Sequence, residues 1–339
     1  MPLPDHAYQT VAPDLRLCRV LNGLWQVSGA HGQIDPKKAI PAMLEYHDAG
    51  LTSWDLADHY GPAEDFIGQF RAALQARDGE STLAASQALT KWVPRPTKMT
   101  RAIVQEAVAV SLRRMHVKQL DVLQFHWWDY RIPGYLEALQ YLQELTTQGQ
   151  LRHLALTNFD TQRVQEITEY GIQLLSNQVQ FSIIDRRPEV SMIPYCQQAG
   201  IYLLPYGVLC GGLLSERYLG QPAPSPSELT TASLRKYYQM IEAWGGWRLF
   251  QALLQTLQQI ADKHHSSIAT VATCYILGKP MVAGVIIGTR LGVREHRAAT
   301  LNIFDLTLEA EDIEQINSFA QQARDLYRAI GDCGDEYRR

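Results

Sequence analysis

Residues 121–158, DVLQFHWWDYRIPGYLEALQYLQELTTQGQLRHLALTN, read as one strand–helix–strand unit. DVLQFH (121–126) and HLALTN (153–158) are short, largely apolar runs, as parallel strands covered on both faces should be. Between them, 137–148 carries apolar residues at helical spacing, and Gly149 stands where a helix C-terminal cap is expected. From His126 to Asn158 is 32 residues, close to the roughly 30 that a strand, loop and helix require.

The same pitch extends towards the N-terminus. Lys91 lies 35 residues before His126, and Asp55 lies 36 before Lys91. Strand-like runs fall at 22–27, 51–55, 82–89, 121–126, 153–158, 177–181, 201–207 and 283–288, with helix-like stretches at 101–114 and 250–263. Eight such units without a break predict an α/β protein, a single (β/α)8 TIM barrel with its active site at the C-terminal ends of the strands. One domain is expected over 1–339, with the barrel core at about 20–308. The 82-residue interval from Tyr206 to Gly288 is the exception to the pitch, and its Pro- and Ser-rich stretch 211–238 reads as an inserted loop over the barrel mouth. Residues 309–328 look helical, and GDCGDEYRR (331–339) looks like a solvated tail.

Bulk properties narrow the function. A chain of 339 residues with 46% hydrophobic content can bury a large core without disulfide staples. Five scattered cysteines without CxxC spacing predict free thiols in a reducing, cytoplasmic setting. The start, MPLPDHAYQT, lacks the features of a secretory signal, and no apolar run is long enough to span a membrane. A net charge of −4 with dispersed basic residues argues against bulk nucleic-acid binding. His31, His47, His59 and His126 show neither HxH nor HExxH spacing, so no metal site and no metal-dependent hydrolase is expected.

Asp55, Lys91 and His126 fall at successive strand ends, with Tyr60 on the loop just after Asp55. Alone, each has an ordinary structural explanation: a cap, a half-buried aromatic, a surface lysine, a core histidine. Together at the mouth of one barrel they suit proton transfer. A phenol has an ordinary pKa of about 10; a nearby ammonium is expected to lower it, and a buried aspartate would hold that ammonium in place. Histidine could orient a substrate oxygen. The set fits protonation of a carbonyl oxygen as hydride reaches the carbon, or the reverse oxidation.

These residues sit in segments that resemble the aldo-keto reductase family. LTSWDLADHYG is similar to its Asp-to-Tyr-Gly strand and loop, ALTKW to its lysine strand, and LDVLQFHWWD to its histidine strand. NGLWQ, GQLRHLALTNFD, NQVQFS, LPYGVLCGGLL and VIIGTR resemble further family segments in order, from about residue 20 to about residue 308. The resemblance implies NAD(P)(H)-dependent interconversion of carbonyls and alcohols, with Tyr60 as general acid/base, Asp55 and Lys91 tuning it and His126 orienting substrate. It implies Thr157, Asn158 and Gln178 around the nicotinamide carboxamide and Tyr206 stacked on the ring. Gly207, Leu209 and Gly211, with Gly288, Thr289 and Arg290, would hold phosphates and adenosine. Asp55, Gly23 and Trp25 would border the cofactor, while Trp25 and Trp127 would line the substrate pocket with Tyr60 and His126.

Thr157 replaces a common serine, Ala155 a frequent glycine, and Tyr206-Gly207 a Ser-Pro pair. His296, Ala299 and Thr300 stand where the family often presents adenosine contacts, so the usual asparagine is missing. Arg290 and Arg294 remain as candidates for a 2′-phosphate, giving a lean to NADP(H) over NAD(H). An alternative on the same barrel is a non-catalytic, cofactor-sensing regulatory subunit resembling the potassium-channel β-subunits. Substrate choice is assigned to the loops 31–36 and 127–134 and to the insertion.

Overall fold

The computed structural model describes residues 3–29 and 34–338. His31 and the first half of the loop 31–36 lie outside them. The strands are β1 (Tyr8–Ala12), β2 (Leu15–Cys18), β3 (Val20–Gly23), β4 (Ser53–Asp55), β5 (Gln87–Trp92), β6 (Leu120–Phe125), β7 (Leu151–Thr157), β8 (Ser176–Gln178), β9 (Tyr202–Leu203) and β10 (Val285–Gly288).

β3 to β10 form an eight-stranded parallel sheet in the order β10-β3-β4-β5-β6-β7-β8-β9. Its two ends are joined by backbone bonds: Leu203 N–H to Met281 O at 2.8 Å, Ala283 N–H to Leu203 O at 3.1 Å and Ile286 N–H to Pro205 O at 2.8 Å. The sheet therefore closes on itself and leaves no unpaired edge. Helices follow the strands; Arg101–Arg114 and Gly246–Lys263 match the helical stretches read from periodicity.

β1 and β2 form an antiparallel hairpin that the sequence reading did not identify. Its turn residue Asp14 meets Arg152 and His153 at the start of β7, so it covers the end of the barrel opposite the strand C-termini. Leu15 and Leu17 enter an apolar cluster with Leu21, Leu89, Val122, Ala155, Leu204 and Ala283. The hairpin thus plugs the barrel floor.

Several boundaries move. Of the expected strand 82–89, Glu80–Ala85 is a 3-10 turn and pairing starts at Gln87. Thr82 there donates its hydroxyl to Gly79 O at 2.7 Å, and the alanines offer little side chain for a pleated surface. β9 is short because Pro205 has no N–H to continue the ladder. Part of the insertion is a helix, Ala232–Trp244, capped by the Thr231 hydroxyl at Leu234 N–H (3.1 Å). The stretch 309–328 breaks after Ala310–Ser318 and a short 3-10 turn, where Arg324 N–H turns to Trp244 O at 2.7 Å.

The solvated tail is the larger correction. Residues 331–338 pack onto the barrel mouth, with Cys333 1% exposed and Glu336 paired to the buried Arg187 at 2.9 Å. A polar composition concealed this, because Glu336, Tyr337 and Arg338 find partners inside the protein.

Leu17 is 1% exposed within the floor plug. Leu17→Ala is expected to destabilise the protein by about 2–5 kcal/mol, measured as the shift in unfolding free energy in a denaturant titration.

Candidate active site

Parallel strands present alternate side chains to the barrel interior, and their C-terminal ends share one rim. Asp55 ends β4, Lys91 lies in β5, His126 follows β6, Thr157 ends β7 and Gln178 ends β8. Closure brings these distant positions together. Asp55 Oδ1 accepts from Lys91 Nζ at 2.6 Å, Gln178 Nε2 at 2.7 Å and Gln124 Nε2 at 3.0 Å. Lys91 also donates to Leu56 O at 3.0 Å. Gln124, on β6, was not identified from sequence; its inward register two residues before His126 was the available signal.

Lys91 Nζ lies 5.2 Å from the centroid of the Tyr60 ring. The phenol is nevertheless pushed well above the ordinary tyrosine range, first by burial, then by the charge of Asp55 and by Tyr337 and Asp58. This departs from the expected lowering. The lysine charge is answered locally by Asp55, so the resting Tyr60 hydroxyl keeps its proton. Burial pulls the Lys91 ammonium below its usual value, opposed by the Asp55 charge and hydrogen bond.

His126 is buried, and its Nε2 has no hydrogen-bond partner among the described residues. Burial holds its pKa down to about 3, helped by Arg338, His59 and Lys91 and opposed by a bond to the Thr157 backbone. A neutral imidazole with an orphaned buried nitrogen is equipped to hold a substrate oxygen. Trp25 meets Tyr60 edge-on at 5.0 Å, and Trp128 lies 4.2 Å from His126 by ring centroids. Trp127 does not line the pocket: it is 0% exposed, packs on Phe125 and Tyr135, and donates its indole N–H to Asp129 O and Ile132 O. Alternation past β6 turns His126 inward and Trp127 outward, leaving the aromatic wall to Trp128.

Beside this group two side-chain amides, Gln178 and Asn158, are each held through one end. Gln178 Nε2 donates to Asp55 Oδ1 and to Gln124 Oε1, both at 2.7 Å, which leaves Gln178 Oε1 as an acceptor. Asn158 Oδ1 accepts from the Tyr206 hydroxyl at 2.8 Å, which leaves Asn158 Nδ2 as a donor. Asn158 N–H binds Gln178 O at 2.8 Å, and the Thr157 hydroxyl reaches the same carbonyl at 3.2 Å, so the two residues are tied together through the backbone. One donor next to one acceptor matches a carboxamide, so these residues fit a nicotinamide. Asn158 takes a left-handed backbone, φ 58°, an uncommon conformation that asparagine tolerates better than most residues.

The expected phosphate segments also lie on the rim. Gly207 and Gly211, at φ 74° and 66°, let the chain with Leu209 lie against Tyr237, where a side chain on Gly207 would strike the phenol. Gly288, ending β10, similarly has no room for a Cβ beside Gln26, and a Cβ on Gly23 would come within 2.8 Å of Ile286. Thr289 gives its amide and hydroxyl to Gly23 O at 2.9 and 3.1 Å, so it ties β10 to β3. Arg290 and Arg294 are exposed and pair through their backbones, whereas Thr300 is buried.

The C-terminal segment completes the mouth. Arg187 binds Asp185 through two bonds of 2.8 Å and Glu336 at 2.9 Å, all three buried. Burial raises the Glu336 carboxyl, but Arg187 and Lys236 outweigh it and hold it below its usual range. Arg338 donates to Trp127 O at 2.8 Å, and Tyr337 meets Trp128 edge-on at 6.0 Å. None of Lys236, Arg187, Glu336 or Tyr337 was identified from sequence, since no motif marks them.

Comparison with known proteins identifies the family. The model of the Aldo/keto reductase family matches residues 19–321. The NADH-specific methylglyoxal reductase of Escherichia coli (strain K12) is 25% identical, covering 89% of this chain and 97% of that protein. The L-glyceraldehyde 3-phosphate reductase of Escherichia coli O157:H7 is also 25% identical, over 94% of this chain and 93% of that protein. The structure of a glycerol dehydrogenase from Gluconobacter oxydans shares the fold, with a TM-score of 0.75 at 22% identity over 97% of this chain and 98% of that one.

The depressed His126 value has a signed consequence. Its pKa is about 3 in the fold, against about 6.5 when unfolded, so its contribution to stability is full above pH of about 6.5 and is lost as pH falls towards about 3. His126 ring signals followed by NMR are expected to show no titration between pH of about 5 and 8.

Proposed function

The chain belongs to the aldo/keto reductase family, and on that footing we propose that it reduces a carbonyl compound, or oxidises the matching alcohol, with Tyr60 as the general acid/base. The observation that carries this is the buried Lys91–Asp55 pair lying under the Tyr60 ring beside the unpartnered His126 Nε2. When bound, the nicotinamide supplies or accepts the hydride. Asn158, Gln178 and Tyr206 hold its ring, with Thr157 buttressing them. Asp55, Gly23 and Trp25 border it, and Gly207, Leu209, Gly211, Gly288 and Thr289 shape the segments along its phosphates.

In reduction, neutral His126 in its Nε2–H tautomer donates to the substrate oxygen, and the Tyr60 hydroxyl gives that oxygen a proton as the carbon gains hydride. The raised phenol pKa means that the proton is present at neutral pH. The phenolate left behind faces the Lys91 ammonium, which Asp55 holds in place. In oxidation the same atoms run in reverse, with Tyr60 taking the alcohol proton. Trp25 and Trp128 give the substrate an aromatic wall, which suits a carbonyl compound of modest polarity.

Arg290 and Arg294 favour NADP(H) by offering guanidinium groups to a 2′-phosphate. Free, mostly buried cysteines favour a cytoplasmic protein. Among the described residues no helix is long and apolar enough to cross a membrane.

A screen of aldehydes, ketones and alcohols with both NADPH and NADP⁺, followed at the nicotinamide absorbance, tests the activity. Turnover is expected; tight cofactor binding without turnover across the panel would favour a cofactor-sensing subunit instead. Tyr60→Phe is expected to lower kcat by at least about 10²-fold while cofactor affinity stays within about twofold, since the phenol oxygen acts on substrate. Arg290→Ala and Arg294→Ala are expected to weaken NADPH about tenfold, or about 1.4 kcal/mol, with little change for NADH. Equal losses for the two cofactors would remove both arginines from 2′-phosphate recognition.

A further inference from the structure

A line of hydrogen bonds runs from the inserted helix across the C-terminal segment to the Asn158 side-chain amide. Lys236 Nζ binds the Tyr337 hydroxyl, the Tyr337 and Tyr206 hydroxyls are 3.0 Å apart, and the Tyr206 hydroxyl is 2.8 Å from Asn158 Oδ1. The two ends settle the direction of every proton. An ammonium can only donate, and an amide oxygen can only accept. Tyr337 therefore accepts from Lys236 and donates to Tyr206, which donates to Asn158. Glu336 Oε1 is a poorer alternative for the Tyr206 proton, at 3.5 Å, and that carboxylate is already held by Arg187.

The consequence falls on the Asn158 amide. With its oxygen held by Tyr206, the amide cannot flip without breaking the chain, and its Nδ2 hydrogens stay available beside Gln178 Oε1. Its backbone is held too: Gly334 packs so closely under the Asn158 carbonyl that a Cβ would collide with it. The positive charge of Lys236 lies 4.3 Å from the Tyr337 ring centroid and 5.2 Å from that of Tyr206, polarising the line in the same sense.

We propose that Lys236 and Tyr337 are positioning residues for the nicotinamide carboxamide, acting through a one-way hydrogen-bond chain that presents Asn158 Nδ2 as a donor. This rests on the cofactor reading given above and extends it to two residues that reach the amides only through Tyr206. The tail residue Tyr337 thereby becomes part of the cofactor site, and the insertion contributes Lys236 to its orientation.

Calorimetric titration of the full-length chain with two probes tests this: NADPH, and 2′-phospho-ADP-ribose, which keeps the adenosine, the pyrophosphate and the 2′-phosphate but lacks the nicotinamide. If the wild type prefers NADH, that cofactor and ADP-ribose replace them. Tyr337→Phe keeps the ring on Trp128 and removes the link; Lys236→Met removes the donor end from outside the tail. Each is expected to weaken the complete cofactor about three- to tenfold, the worth of about one hydrogen bond, and to leave the nicotinamide-free probe within about twofold. Unchanged affinity for the cofactor in both variants, or equal losses for both probes, would overturn the proposal. If one variant does not fold, the other decides it by the same criteria. A wild-type chain that binds the complete cofactor no better than the nicotinamide-free probe would instead overturn the cofactor reading itself, and that result is read before any variant is made.

Discussion

One buried carboxylate oxygen organises the active end of this barrel. Asp55 Oδ1 collects an ammonium from the neighbouring β5 and amides from β6 and β8, and β8, four strands away in the sheet, reaches it because the sheet curls into a barrel. Removing one member of such a buried ion pair leaves an uncompensated charge and costs about 3–5 kcal/mol, so the barrel rim and the chemistry share one constraint. The same bonds settle the Gln178 amide and so make it an acceptor. Catalytic geometry and cofactor geometry therefore have a common origin.

Electrostatics then separate the roles of neighbouring groups. Lys91 is matched by Asp55, so its charge is not free to draw the Tyr60 proton off in the resting protein. The phenol stays protonated and His126 stays neutral, both chiefly through burial. An acid with its proton in place beside an uncharged, unpartnered imidazole suits a neutral substrate oxygen. A charged histidine there would compete with Lys91 for the same negative charge as it develops.

The barrel mouth has a second, independent anchor. Asp185, Arg187 and Glu336 form a buried charge cluster that draws the last residues of the described chain across the rim. This places Tyr337 between Trp128, Lys236 and Tyr206, and places Arg338 on the Trp127 carbonyl. Composition misleads in this segment. GDCGDEYRR has the residues of a solvated tail, yet its acid and arginine are matched by partners far away along the chain.

The sequence by itself determined the strand–helix period and the kinds of reactive side chain at the strand ends. Both are local: apolar spacing follows from helix and strand geometry, and each reactive residue sits within a few positions of its own strand terminus. Asp55, Lys91 and His126 were legible for that reason, as was the helix 101–114, whereas Thr157 and Gln178 came only through the family resemblance. Tertiary structure alone decided which aromatic faces the pocket, Trp128 rather than Trp127, and whether the lysine charge reaches the phenol. It also decided that Gln124 supports Asp55, that β1 and β2 plug the floor, and that Tyr337 bonds to Tyr206 and Lys236. These depend on pairs separated by tens to hundreds of residues, such as Arg338 with Trp127 and Glu336 with Arg187. Such pairs exist only after the barrel has closed and excluded water from between them.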